Sequence, residues 1–521
     1  MDDQHAKIQR AARTFYRKAW GRPWPRQQRK TLHKARIVPT DYSVDDVDGY
    51  VFADVANIPD IIEYTCLYEV NQIAKTLQST LQTNVLLIRE EYLTLHKMIT
   101  DANEAAIVVT GQEGIGKSTF LLYLLLHRLE RKQPTAVQFS PQWTFIFDKH
   151  GVDVRRAEDV DYVRLTNCWA LADSNANLIQ PCAAFQVHAQ RLVHTSSPKP
   201  DRWKTWINQN EGTCIVSELP TVVEIAAILE EQNLDPSFAL PLVDKWGPSI
   251  RTISRIRRLP DAETAYEMKA QTAAQAIAAS PHSINVLDGS DKTATSEGST
   301  IVFYRPNRFE KNGRTVSIHG IPFIPTRYLL DIFEHTHLLS TNEKALDLFF
   351  ALSSHALTRH PYGWYHEKRM HTCMCAGGPT LEIFQKNGHH VRKHIQPSST
   401  LLPGTKSKLK HSHTTQSYYW MPSAVNFAGI DGLLRNGNDI YTLQATVVQE
   451  AHREPSAGIK AVWGALPSDY RADYTWHFVV VSDNEEAANM HLKTSVDQLK
   501  TFTLGVGGRK TVAVWACILP S

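Results

Sequence analysis

Residues Ala105–Leu129, AAIVVTGQEGIGKSTFLLYLLLHRL, decide the fold. The stretch opens on Ile107-Val108-Val109, a short β-branched run of the kind found in strands buried on both faces of a parallel sheet. After Thr110, Gly111, Gly114 and Gly116 release the backbone into a tight loop, and Lys117, Ser118 and Thr119 open a helix that is apolar on nearly every face from Phe120 to Leu126. Gly-x4-Gly-Lys-Ser thus stands between a strand and a helix, the setting in which backbone N–H groups converge on phosphate oxygens. In that setting the Lys117 ammonium reaches the terminal phosphates and the Ser118 hydroxyl takes one Mg²⁺ position. The expectation is a nucleoside triphosphate site, ATP with Mg²⁺, built on Gly111, Gly114, Gly116, Lys117, Ser118 and Thr119.

Downstream, NCWALAD (167–173) reads as a buried strand that delivers Asp173 at its carboxyl end, where a carboxylate holds the metal's outer shell beside Ser118. Ser174 and Asn175 follow where many such ATPases carry a Glu that polarises the attacking water, so binding is the stronger expectation and hydrolysis the weaker. Gln190–Ser197 and Cys214–Val216 read as further strands. From Pro220 to Arg257 the apolar period becomes helical. This helical region reads as a lid, with Arg251 a candidate phosphate contact or part of a solvated face shared with Arg255, Arg257 and Arg258.

The rest of the chain bounds the answer. At 521 residues it accommodates two to four domains, and 42% hydrophobic against 21% charged residues is ordinary for a protein with real cores. A net charge of +3 names no partner, so local charge must carry that argument. Seven scattered cysteines suit reduced thiols in an intracellular compartment, cytoplasmic or nuclear. His371-x-Cys373-x-Cys375 lacks zinc-pair spacing. No apolar run is long enough to span a membrane and no signal-peptide core follows Met1.

Residues 1–45 are basic with interleaved aromatics (Arg10, Arg13, Phe15, Tyr16, Arg17, Lys18, Trp20, Arg22, Trp24), which reads as a flexible tail, a nucleic-acid contact or an import signal. Residues 46–100 read as a helical lead-in, with a helix from Ile61 to about Leu81. Residues 101–219 then form the nucleotide-binding core and 220–287 the lid. The Gly/Ser/Thr-rich shift at 288–300 marks a boundary, with a linker and small α/β segment at 288–345 before a last domain at 346–521.

That last domain carries a second constellation. Gly363–His371 reads as a helix bearing Glu367. NFAGIDGLL (426–434) is a strand with Asp431, and after a turn at 436–439 the chain returns as IYTLQATVV (440–448). Because side chains at i and i+2 share a strand face, Gln444 and Thr446 would both aim at a metal held by Asp431, the skeleton of the PD-(D/E)xK nuclease core. In that core the metal activates a water against a phosphodiester. Gln444 and Thr446 stand where a carboxylate and a Lys are expected, with Lys460 or His452 as replacements for the missing cation. A basic arm between Lys386 and Lys410 adds a possible phosphate-backbone contact.

The succession VLLIREEY, GQEGIGKSTFLLYLLLHRL, WALADSN, GPSIRT, WYHEKRMH, NFAGIDGLL and TLQATVV resembles Crinkler-type effectors of oomycetes and fungi and the related retrotransposon hot spot proteins, over roughly residues 84–520. The resemblance implies a fold class: an α/β chain in which a STAND- or AAA-like P-loop NTPase, a parallel sheet with a helical lid, precedes a restriction-endonuclease-like α/β domain. It implies nucleotide contacts at Gly111, Gly116, Lys117 and Ser118, magnesium at Asp173, a variant nuclease site at Glu367, Asp431 and Gln444, and action on DNA in a nucleus, the protein's own cell's or a host cell's. The alternatives are a switch that binds ATP and nucleic acid without cutting either, and a metabolic P-loop kinase. Assembly through the nucleotide-binding domain stays open.

Overall fold

The computed structural model describes residues 3–38, 58–175, 177–198, 203–279, 298–311, 313–337, 346, 361–375, 380–387, 389–404, 409, 416–422, 427, 429–446, 454–471, 473–505 and 510–519. The chain is mixed α/β and divides into two compact units, Met1–Thr336 and His337–Ser521. No described helix is long and apolar enough to cross a membrane. All seven cysteines are free thiols.

The first unit is built on a seven-stranded sheet in the order 213–216, 106–110, 191–195, 169–173, 135–138, 143–148, 151–156. The first five strands are parallel and the last two antiparallel. Ala106–Thr110 is buried along its whole length, as a central parallel strand covered on both faces must be. Lys117–Glu130 follows the glycine loop and buries every residue from Phe120 to Leu126, because one side meets the sheet and the other meets N-terminal segments in a single apolar core. The predicted helical region is four helices, Val222–Glu231, Ala239–Trp246, Ile250–Arg258 and Ala262–Ala279. The first starts at a reciprocal Thr221–Glu224 capping box.

Three expectations for this unit are corrected. The basic N-terminal stretch is no tail: Asp3–Ala19 is a helix whose Ile8, Ala12, Phe15 and Ala19, with Trp24 beyond it, enter the core of the glycine-loop helix. Several of its cations are committed to carboxylates, Lys18 to Glu69, Arg26 to Glu130, Lys30 to Glu231 and Arg36 to Glu230. The lead-in is not helical from Ile61. Ile61–Leu67 is a strand paired antiparallel with Arg26–His33, and the helix begins only at Val70. The boundary does not fall at 288–300 either. The hairpin Phe303–Lys311/Arg314–Phe323 belongs to the first unit, where Arg308 makes a two-pronged ion pair with Glu91 and donates to the Val216 carbonyl.

The second unit holds a nine-stranded mixed sheet with its main path 389–395, 381–387, 510–518, 475–482, 439–445, 432–436, 418–422, 401–404. Strand alternation divides its apolar residues into two cores. Tyr419, Met421, Leu443, Val479 and Val481 pack with Met370 and Met374 of the helix Pro361–Cys375. Trp420, Ile440, Phe478 and Val480 pack with Ile459, Val462, Ala488 and Leu492 of the helices Ser456–Ala465 and Glu485–Leu499. The basic arm, where described, is a strand hairpin in which Arg392 pairs with Glu382 and Lys393 with Asp439, and His394 Nε2 lies 3.8 Å from Glu382. Lys406, Lys408, Lys410 and His452 lie outside the described residues.

Candidate functional site

The glycine loop connects the carboxyl end of Ala106–Thr110 to the Lys117–Glu130 helix, at the sheet edge where open α/β folds place their ligands. Its glycines are required by the backbone and by close neighbours. Gly116 has φ +101°, and a Cβ there would lie 2.6 Å from the Tyr92 hydroxyl. Gly114 has φ +77°, and its Cβ would lie 2.8 Å from both Arg251 Cβ and Ser249 Oγ.

Three anchors hold the loop from outside its own sequence. Arg251 N–H donates to the Gly114 carbonyl at 3.1 Å, and the Ser249 hydroxyl lies 3.3 Å from the Glu113 carbonyl, so the start of the Ile250–Arg258 helix sits on the loop. Tyr92 donates its hydroxyl to the Gly116 carbonyl at 3.1 Å. Beneath the loop, Arg89, only 2% exposed, donates to the Ile115 carbonyl at 2.9 Å and to Glu224 at 3.0 Å. Arg89 and Tyr92 sit at the start of the helix Glu90–Asp101, immediately after the strand Leu86–Leu87, where an Arg following an apolar run was the available signal.

The structure brings Ser118 and Asp173 together. Ser118 Oγ donates to Asp173 Oδ1 at 2.9 Å, across one intervening strand. That strand, 191–195, ends on Thr195, whose hydroxyl donates to the same Asp173 oxygen at 2.7 Å. Burial pushes the Asp173 carboxyl up from its ordinary value, and the hydrogen bonds from Thr195 and Ser118 oppose that shift. Lys117 is half-buried and donates to the carbonyls of Gly111 and Gln112, at 2.7 and 2.6 Å. Among the described residues no carboxylate lies within ion-pair distance of it, and desolvation pushes its ammonium down to about 8. Lys117 is thus held by carbonyls at an accessible loop, with Glu113 and Asp173 acting on it only from beyond ion-pair contact. Glu113, Gly114, Gly116, Ser118 and Thr119 are likewise only partly covered, so the loop surface is open.

These residues fit a triphosphate with Mg²⁺. A hydroxyl and one carboxylate are enough protein ligands for a cation that keeps waters and phosphate oxygens in its shell. No group of three or more His, Cys, Asp or Glu suited to holding a metal by itself occurs among the described residues. A cavity of about 620 Å³ lined by Trp24, Tyr64, Tyr123, His127, Glu130 and Glu224 lies toward the far end of the Lys117–Glu130 helix. No residue of the glycine loop lines that cavity.

In the second unit the expected set is divided. Glu367 lies on the Pro361–Cys375 helix, 3.6 Å from His371, whose Nδ1 is 2.6 Å from the Tyr419 hydroxyl. Burial and the nearby Cys375, Asp431 and Glu367 push that phenol well up. Asp431 accepts from the Ala445 N–H at 2.8 Å, and its own N–H donates to Leu443. Strand alternation turns Tyr441, Leu443 and Ala445 toward the Glu367 helix and Gln444 and Thr446 toward the opposite core. There Thr446 Oγ1 lies 3.4 Å from His491 Nε2. Glu367, Asp431, Gln444 and Thr446 are all buried. Lys460, one proposed replacement cation, is exposed with its ammonium 5.5 Å over the Phe502 ring instead. His491, which the strand spacing did not reveal, is the imidazole beside Thr446.

No protein-family model matches the chain, and no curated protein matches it.

Proposed function

We propose that the first unit is a P-loop nucleotide-binding module that takes ATP with Mg²⁺. The observation that carries this reading is the Ser118–Asp173 hydrogen bond beside Lys117, whose ammonium is hydrogen-bonded only to loop carbonyls, on an open glycine loop. Gly111, Gly114, Gly116 and Lys117 would cradle the phosphates, Thr119 would lie at the same helix start, Ser118 and Asp173 would hold the metal, and Arg251 is placed at the rim. Magnesium supplies neutralisation of phosphate charge and orientation of the terminal phosphoryl group. Thr195 fixes the Asp173 carboxylate, while Ser174 leaves the site without an adjacent carboxylate to polarise water. Hydrolysis, if it occurs, is therefore slow.

A pH dependence follows from Lys117. Its ammonium is fully charged well below about 8 in the empty protein, and a bound polyphosphate raises its proton affinity. Binding therefore takes up a proton above that value, so ATP affinity should fall as pH rises from 8 toward 10. Calorimetric titrations across that range check this, and affinity that holds level would show that Lys117 does not face the phosphates.

We further propose that the second unit is nuclease-like and binds nucleic acid with a degenerate catalytic set, its behaviour governed by the nucleotide state of the first. The buried Asp431, its carboxylate bonded to a main-chain N–H, and the division of Gln444 and Thr446 from Glu367 favour the non-cutting form of this reading. The expected result is that purified protein leaves plasmid DNA intact with Mg²⁺ or Mn²⁺, and that Asp431→Ala changes nothing in that assay. Metal-dependent nicking that Asp431→Ala abolishes would restore an active nuclease.

A further inference from the structure

We infer that the solvent face of the Asp3–Ala19 helix is a docking surface for a nucleic-acid phosphate backbone. The helix has two faces of opposite character. Ile8, Ala12, Phe15 and Ala19 are buried in the core of the first unit. On the other side Lys7, Arg10, Arg13 and Arg17, three, three and four residues apart, are all exposed. They form a cationic row about 15 Å long at the helical rise.

The row continues past the helix. The Gly21 N–H donates to the Leu129 carbonyl, which sets Arg22 beside the end of the Lys117–Glu130 helix. A Cβ on Gly21 would lie 2.4 Å from Lys132 Cε, so Lys132 adjoins the same turn. Arg22 and Lys132 are exposed. None of Lys7, Arg10, Arg13, Arg17, Arg22 or Lys132 is ion-paired with a described residue, while the nearby Glu69 and Glu130 are engaged by Lys18 and Arg26.

Such a row is costly by self-repulsion, and no described residue forms an ion pair that relieves it. A polyanion relieves it. Four of the six cations are arginines, whose planar guanidinium matches phosphate in a two-pronged fashion. An anionic membrane is the less suitable partner. A helix lying in a lipid interface buries its apolar face there, and this one has already buried that face in protein.

The test uses the full chain and a labelled short duplex, with the matching single strand as a second probe. Binding is followed by fluorescence anisotropy across roughly 50 to 200 mM salt. The variant Arg10→Gln/Arg13→Gln/Arg17→Gln alters only exposed side chains, and an unchanged unfolding temperature verifies its fold. Removing three phosphate contacts should flatten the slope of log affinity against log salt by about 2.7 for the duplex and about 2 for the single strand. An equal slope in the variant and the wild type overturns the inference, wherever else on the chain nucleic acid binds. So does wild-type protein that ignores both oligonucleotides but co-sediments with phosphatidylserine vesicles through these arginines, which would assign the row to a membrane. Because these residues lie outside the glycine loop, Lys117→Ala should leave the slope intact, which separates this result from the nucleotide reading.

Discussion

Lys117→Ala is expected to lower ATP affinity by about a hundredfold or more. The substitution removes a charge-assisted contact to phosphate worth about 3 kcal/mol, and each 1.4 kcal/mol is about tenfold. The empty variant should be at least as stable as the wild type. Burial holds the Lys117 ammonium down to about 8, below its unfolded value, so the folded state binds its proton less tightly than the unfolded chain. At neutral pH that difference opposes folding, and it is relieved only as pH rises through 8. Loss of binding with unchanged or raised thermal stability is thus the signature of a residue held ready for a ligand. A variant that loses both together would mark Lys117 as a structural brace for the Gly111 and Gln112 carbonyls. Equilibrium titration with a fluorescent ATP analogue and a melting curve on one preparation distinguish the two.

Arg89→Ala is expected to destabilise the first unit by about 3 kcal/mol, the lower end of what breaking a buried ion pair costs. The lower end applies because Glu224, although it loses the guanidinium, keeps the Thr221 N–H of its capping box. The Ile115 carbonyl loses its donor in a position that water does not reach, since Ile115 is fully buried. The glycine loop should loosen as a result, and ATP affinity should fall even though Arg89 lies beneath the loop rather than at its open surface. Arg89→Lys should fall between, because one ammonium cannot reproduce the planar fork that meets both partners. Chemical denaturation gives the stability change, and a shift below 1 kcal/mol would mean that the loop does not depend on this anchor.

What the sequence made legible was whatever is local along the chain. The strand, glycine loop and helix from Ala106 to Glu130 are contiguous, and Asp173 ends an apolar run, so both could be read from neighbouring letters. The position of Thr195 between them depends on strand order, which no local pattern encodes. Arg89 and Ser249 depend on long-range packing in the same way. The N-terminal helix was misread for a different reason. Ile8, Ala12, Phe15 and Ala19 carry a clear helical period, but the density of charge around them drew attention to the exposed face. Ile61–Leu67 is a strand, not the start of a helix, as its Ile, Tyr and Thr content favours. The domain boundary followed composition, whereas the fold follows the Arg308–Glu91 ion pair. In the second unit the i, i+2 rule pairs Gln444 with Thr446, one residue past the end of the strand Asp439–Ala445. Which face the Glu367 helix covers was not contained in that rule.

The central claim is that Lys117, Ser118 and Asp173 receive a metal–triphosphate at the open end of the glycine loop. Its most direct test is an equilibrium titration of the wild-type chain with ATP in Mg²⁺ and again in EDTA, alongside Asp173→Asn. Saturable binding at a single site that weakens in EDTA is expected, with an Asp173→Asn protein whose affinity no longer responds to Mg²⁺. Wild-type protein that binds no nucleoside triphosphate, or binds it equally well without the metal and without the Asp173 carboxylate, would contradict it.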